Sequence, residues 1–385
     1  MTHGKKRIMI IAGVLLVVTV FMAACSQTTA PPEVPTAAAS PTPVFTQAPT
    51  EVPAPEVTIP FEEQWAASPH NQADSEAFVH WNEEDPAEVP PTCASCHTSA
   101  GYVDYISDGT VDAAVQAPAG TITCEACHSE AAVNLSSVTF LSTEVSEDGT
   151  ETPVTISGLD ASARCMVCHQ GRATKTQVDA QIARFEVTDP DAVVEPIEEG
   201  ETTAAFNFIN IHYYAAAVTL YGKEVHGGYE YDGKLYDAKN DHVENFDSCV
   251  ECHDSHTLEV KIDQCAQCHE GVASTDDLKN IREISSASDY DGDGDVEEGM
   301  FNELEGLREA LLGAIQAYAK DTAGTAIAYN PATHPYFFID TNDDGQAQDD
   351  EAVSDNRYST WTARLLKAAY NYQVSTKDPG AYAHG

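Results

Sequence analysis

Apolar positions follow several different patterns along this chain. Ile8 to Met22 is an almost unbroken apolar run behind Lys5, Lys6 and Arg7. Residues 26–60 are rich in Pro, Thr and Ala and have no periodic apolar face, so they cannot bury a core. Val138–Val145 and Val154–Ile156 are β-prone and flank Asp148-Gly149, which predicts a hairpin. Lys175–Phe185 predicts a short helix. Phe208, Ile211, His212, Ala215, Leu220 and Tyr221 predict a buried helix ended by Gly227-Gly228, and Tyr229–Tyr236 a small hairpin about Asp232-Gly233. Phe301, Leu304, Leu307, Leu311, Ile315 and Tyr318 share one helical face, and Trp361, Leu365, Ala369 and Tyr372 repeat that spacing over Tyr358–Tyr372. The expected fold is mainly α, with much irregular loop and small β-hairpin insertions.

These patterns also divide the chain. A basic start, an apolar run and Ala23-Ala24-Cys25 resemble a bacterial lipoprotein processing site, with Met22 where Leu is more usual. Residues 1–24 are read as a signal peptide, Cys25 as the lipidated residue, and 25–60 as a flexible, partly polyproline linker. An uncleaved anchor is the alternative, although the run is short for a full span. Both readings tether the protein to a membrane. Residues 61–275 then form the main domain, and 276–385 a C-terminal helical extension.

Charge narrows the partners. Against 62 acidic residues stand 19 basic ones, a net charge of −43. Such a surface repels nucleic acid and anionic headgroups; it favours cationic partners or serves solubility alone.

The chemistry lies in the cysteines. Ten of the eleven occur in five Cys-x-x-Cys-His units: Cys93/Cys96/His97, Cys124/Cys127/His128, Cys165/Cys168/His169, Cys249/Cys252/His253 and Cys265/Cys268/His269. Structural zinc wants complementary pairs of ligands, and a redox motif would stand once in a βαβ context; neither explains a histidine after every pair. Two thiols three residues apart can bond the two vinyl groups of a porphyrin, with the next histidine beneath the iron. On these motifs the chain resembles the bacterial multihaem c-type cytochromes. The resemblance implies five covalent haems, hence a multihaem cytochrome c architecture, and thiol delivery outside the cytoplasm.

Each iron has a second axial position. Eight histidines remain outside the signal peptide and the motifs, and Met300 is the only remaining methionine, so the supply points to bis-histidine ligation. His256, three residues after His253, leads the candidates. His80, His212, His226 and His242 follow, then His70 and His334. His384 is set aside as part of a frayed terminus.

Two acidic loops resemble EF-hand calcium loops. Asp340, Asn342, Asp344, Gln346 and Glu351 fit positions 1, 3, 5, 7 and 12, with Gly345 at 6. Asp289, Asp291, Asp293 and Asp295 begin a second such loop, but Met300 holds position 12, so Glu297 or Glu298 would have to complete it. Structural Ca²⁺ is expected at both.

The reading is an exported, lipid-anchored pentahaem electron carrier at the cell surface or in the periplasm. Its partners would be other redox proteins or an electron acceptor there, and the fourth and fifth haems would be neighbours. The rival is a reductase or oxidase of a small nitrogen or sulfur compound, which needs an open iron. Self-association into a haem-bearing filament, with a histidine lent between chains, also stays open.

Overall fold

Backbone polar groups in this chain are satisfied by short local elements and many tertiary hydrogen bonds rather than by one large sheet. The computed structural model describes residues 58–146, 148–282 and 286–385. Cys25, the stretch read as a signal peptide and nearly all of the stretch read as a linker lie outside the described residues. Helix accounts for 38% and strand for 12%, the mainly helical, loop-rich class that was expected. Among the described residues the strands pair only as two-stranded antiparallel ribbons.

The largest ribbon pairs Ser137–Val145 with Glu151–Ser157 about the Asp148-Gly149 turn, where Gly149 has φ 82°. Alternation buries Val138, Phe140 and Ser142 on one face. Lys175–Arg184 is helical behind a capping box of Thr174 and Gln177. Two longer helices follow, Met300–Tyr318 and Ala363–Lys377. The second starts at Thr362, whose side chain accepts from the Leu365 N–H.

The Ala363–Lys377 helix buries Leu365, Leu366, Ala369, Tyr370 and Gln373, too wide a face for a surface helix. It packs on the Met300–Tyr318 helix and on Lys175–Arg184. Trp361, just before it, stacks on Phe208 and meets Phe337 and Tyr358 edge-on. One hydrophobic cluster therefore joins residues between Tyr102 and Tyr229 to those between Ile315 and Tyr372.

Two local expectations fail. The buried helix expected from Phe208 is confined to Ala216–Tyr221. Upstream, His212 and Tyr214 have φ of 78° and 54°, which no helix tolerates. Their segment is held by distant groups instead: Ile211 N–H donates to the Gln373 side chain, Tyr214 N–H to the Lys377 carbonyl, and Arg172 N–H to the Ile211 carbonyl. Nor is Tyr229–Tyr236 a hairpin. Asn371 takes both the Tyr229 N–H and its carbonyl, so that backbone pairs with a helix side chain and not a strand. In both places tertiary partners outcompete local propensity.

Candidate functional site

Each Cys-x-x-Cys-His unit sits on a turn of helix or at its end. Cys93 and Cys96 lie on Pro91–His97, and Cys124 and Cys127 on Cys124–His128. In the other three the histidine N–H reaches back four residues to the first cysteine carbonyl: His169 to Cys165 at 3.0 Å, His253 to Cys249 at 2.8 Å and His269 to Cys265 at 3.0 Å. A helical turn brings both thiols to one side, as two thioethers to one porphyrin edge require. All ten described cysteines are free of disulfides.

The fifth unit departs from a sheltered attachment site. Cys268 is exposed, as is Cys124, whereas the other eight motif cysteines are half-buried. The reason is local. The helix Ile262–Cys265 ends before Cys268, which stands in the following turn with its N–H donating to the Cys265 carbonyl at 3.1 Å. Its neighbours Ala266, Gln267 and Glu270 are exposed too.

The histidines form the decisive pattern. Metal–imidazole bonds are about 2 Å long and the ring centre lies about 1 Å behind the bonding nitrogen, so two imidazoles on one iron stand about 6 Å apart, centre to centre. His97 faces His212 at 5.9 Å, His128 faces His256 at 6.2 Å, and His169 faces His70 at 6.4 Å. His253 faces His384 at 6.3 Å and His269 faces His242 at 6.1 Å. Every motif histidine has one partner from elsewhere in the chain, at the spacing a bridging iron needs. The residues fit haem c.

Ring orientation is fixed from behind. The Nδ1–H of His97, His169, His253 and His242 donates to the carbonyls of Ala77, Tyr214, Leu258 and Phe246 at 2.8–3.1 Å. That tautomer leaves Nε2 bare for a metal. Burial, aided by neighbouring cationic or imidazole groups, pulls His70 and His212 down to about 4 and lowers His97; burial likewise lowers His169. These imidazoles are neutral at physiological pH, the form that binds iron. Aromatic rings close the sites: Trp81 lies edge-on to His97, Phe61 stacks on His256, and Tyr214 meets His169 edge-on.

The structure brings His70, His212, His242 and His256 against motif histidines, and places the other three candidates elsewhere. His80 is bonded to Glu76 and His226 to Glu230, each at 2.7 Å, while His334 lies edge-on to Tyr336. The sequence reading missed His384. It belongs to a helical turn, Ala381–His384, and its Nδ1–H donates to buried Asp378 at 2.8 Å. Burial alone would lower His384, but Asp378 outweighs it and the net shift is upward. Only the proximity of Asp378, six residues upstream, could have marked it.

The attachment cysteines also touch one another. The first and third units interlock: Cys168 Sγ–H donates to the Ser95 carbonyl at 3.7 Å, and Cys96 Sγ–H to the Val167 carbonyl at 4.0 Å. Between the third and fourth units, Ser248 Oγ donates to Asp160 and Val250 N–H to Ser162 Oγ. Lys261 N–H donates to the Cys252 carbonyl, tying the fourth unit to the segment before the fifth. The third unit thus contacts both the first and the fourth.

The acidic loops differ. In the first, carboxylate oxygens of Asp289, Asp291 and Glu303 lie within 4.8 Å of one another, as do those of Asp291, Asp293 and Glu298. Glu298 Oε1 is buried with no hydrogen-bond partner among the described residues. Desolvation, then Asp293 and Asp291, raise the Glu298 carboxyl. Asp295 accepts the Glu297 N–H. In the second loop Asp340 accepts backbone N–H groups of Asp343 and Gly345, Asn342 that of Asp344, Asp344 that of Gln346, and Glu351 that of Thr341.

No protein-family model matches the chain, and no solved structure does. Curated proteins do match. The "C-type polyheme cytochrome OmcB" from two strains of Geobacter sulfurreducens is 27% identical over 371 residues, covering 80% of this chain and 43% of the relative. The "C-type polyheme cytochrome OmcC" of the same species is 25% identical over 375 residues, covering 81% and 43%. The chain thus spans less than half the length of these relatives. The likeness is to proteins named as polyhaem c-type cytochromes and extends over most of this chain, which supports covalent haem attachment as the chemistry of its cysteine motifs.

Proposed function

We propose that this protein is a pentahaem electron carrier in which all five irons are bis-histidine ligated, by His97/His212, His128/His256, His169/His70, His253/His384 and His269/His242. One observation carries the reading: five motif histidines each face one other histidine at 5.9–6.4 Å. Haem c, when bound, supplies an iron that gains and loses single electrons. The chain's own residues hold it through two cysteines, fix ligand tautomers with hydrogen bonds, and cover it with aromatic rings. Because each second axial ligand comes from the same chain, no histidine need be lent by another subunit. The same pairing weighs against the reductase or oxidase reading, which requires an open position. Contacts between the first and third units, and between the third and fourth, support an order of sites that departs from chain order. Export and a lipid anchor at Cys25 complete the proposal, resting on the basic-apolar-Cys leader and on the extracytoplasmic chemistry of thioether attachment. Among the described residues no helix is long and apolar enough to cross a membrane.

Low-temperature EPR of the oxidised protein, with a haem count by pyridine haemochrome, tests this. Five haems and low-spin signals alone are expected. A stoichiometric high-spin signal in the intact protein would sink it.

The reading extends to structural Ca²⁺ in both acidic loops, supported most by the first, where Glu298 and Glu303 stand in for the missing twelfth ligand. The orphaned Glu298 oxygen fits a cation. An ion held at a hundred times its dissociation constant stabilises by about 2.7 kcal/mol. EGTA should therefore lower the melting temperature, and added Ca²⁺ restore it. An unchanged melting temperature, with no calcium by elemental analysis, would remove the ion from the account.

A further inference from the structure

Among the ten paired histidines, the described hydrogen bonds give one a carboxylate partner. Where a partner is seen for His97, His169, His242 and His253, it is a backbone carbonyl. His384 alone donates to a carboxylate, Asp378, at 2.8 Å to Oδ2 and 3.1 Å to Oδ1. Asp378 is 1% exposed. It is held in place by the Gly380 N–H, which donates to its Oδ1 at 3.0 Å. This geometry belongs to the folded chain: the end of the helix Ala363–Lys377 and the turn Ala381–His384 meet so that the acid lies directly behind the ring that faces His253.

A neutral carbonyl and a buried carboxylate do different things to a metal-bound imidazole. Both fix the tautomer. The carboxylate also pulls the Nδ1 proton toward itself, pushes electron density to Nε2, and places a negative charge close to the iron. Both effects favour the ferric state, and hydrogen bonding behind the ligand is one of the levers by which a protein sets a haem potential. Low local polarity strengthens them.

Resting on the bis-histidine reading above, we propose that Asp378 is a positioning residue that lowers the reduction potential of the haem attached at Cys249 and Cys252 by acting through His384. That site would give up its electron more readily than it would with a carbonyl behind the ligand. It neighbours the segment of the third unit through Val250 and Ser162, and that of the fifth through Lys261, so the acid biases electron distribution at a site with neighbours on both sides.

Asp378→Asn in the full-length, haem-loaded protein tests this, with potentiometric titration followed by absorbance and EPR. Asparagine keeps the size and can still accept from His384, but removes the charge. One midpoint should rise by at least tenfold in the reduction equilibrium, about 59 mV for one electron, with five haems and all low-spin signals retained. A separate His384→Met chain identifies the wave, because a methionine ligand raises the potential of that haem. Unmoved midpoints in Asp378→Asn overturn the proposal. If the variant instead loses a haem or gains a high-spin signal, Asp378→Glu decides. Restored count and restored midpoint support the charge effect, and failure of glutamate too assigns Asp378 to folding alone and overturns it. A high-spin signal already present in the wild type would instead count against the bis-histidine reading.

Discussion

In His70→Ala the oxidised protein gains one high-spin haem per chain while the haem count stays at five. His70 stands in a single turn, Pro69–Asn71, far upstream of the motif histidine it faces. It contributes nothing to the thioethers of Cys165 and Cys168, so attachment should survive its loss. What disappears is the ligand opposite His169, and the iron there becomes five-coordinate or takes water. The surroundings should hold. Trp65 Nε1 donates to the Ile122 carbonyl at 2.8 Å, and Ile122 N–H to the His70 carbonyl at 3.1 Å, so the segment is pinned by groups that alanine leaves intact. Carbon monoxide should then bind one reduced haem, and added imidazole should restore the low-spin signal. EPR and CO difference spectra check both. An unchanged spectrum would remove His70 from the ligand set, and the same variant at His80 or His226 should leave the spectra as they were.

Trp361→Ala is expected to cost about 3–5 kcal/mol of stability, the usual range for deleting a fully buried indole. Trp361 is 1% exposed and lies against Phe208, Phe337 and Tyr358, with its Nε1–H donating to the Tyr358 carbonyl at 3.0 Å. These contacts join the chain before the fourth motif to the chain after the fifth. The loss should appear as a lower denaturant midpoint with little change in slope. A shift below about 1 kcal/mol would show that this cluster is peripheral to the fold. Because Phe208 stands just before the segment that carries His212, a second readout is a weakened or heterogeneous low-spin signal from the first site.

The difference between legible and hidden features is visible residue by residue. The hairpin about Asp148-Gly149 and the helices near 175–184, 300–318 and 363–377 follow from patterns that a few neighbouring residues complete. The stretch from Phe208 to Ala215 carries a helical pattern too, yet Gln373, Lys377 and Arg172 take its backbone groups and two left-handed residues break it. Propensity there is worth tenths of a kcal/mol per residue, less than the buried hydrogen bonds that override it.

Five Cys-x-x-Cys-His units are readable in the sequence because the motif is a local matter: two thiols and an imidazole within five residues of helical turn. How far each unit is sheltered was not readable, since the exposure of Cys124 and Cys268 depends on what packs beside them. The acidic loops and the excess of negative charge are local in the same sense as the motifs. Which histidine faces which motif could not be read there. Partners such as His70 and His169 lie far apart in the chain, and an isolated imidazole carries no mark of its destination. His384 looked like a frayed end, and His80, beside Trp81, looked like a ligand. In the tertiary structure Asp378 stands behind the one, which faces His253, and Glu76 is hydrogen-bonded to the other. Local chemistry is written in adjacent residues, whereas the second side of each site is assembled by packing across the whole chain.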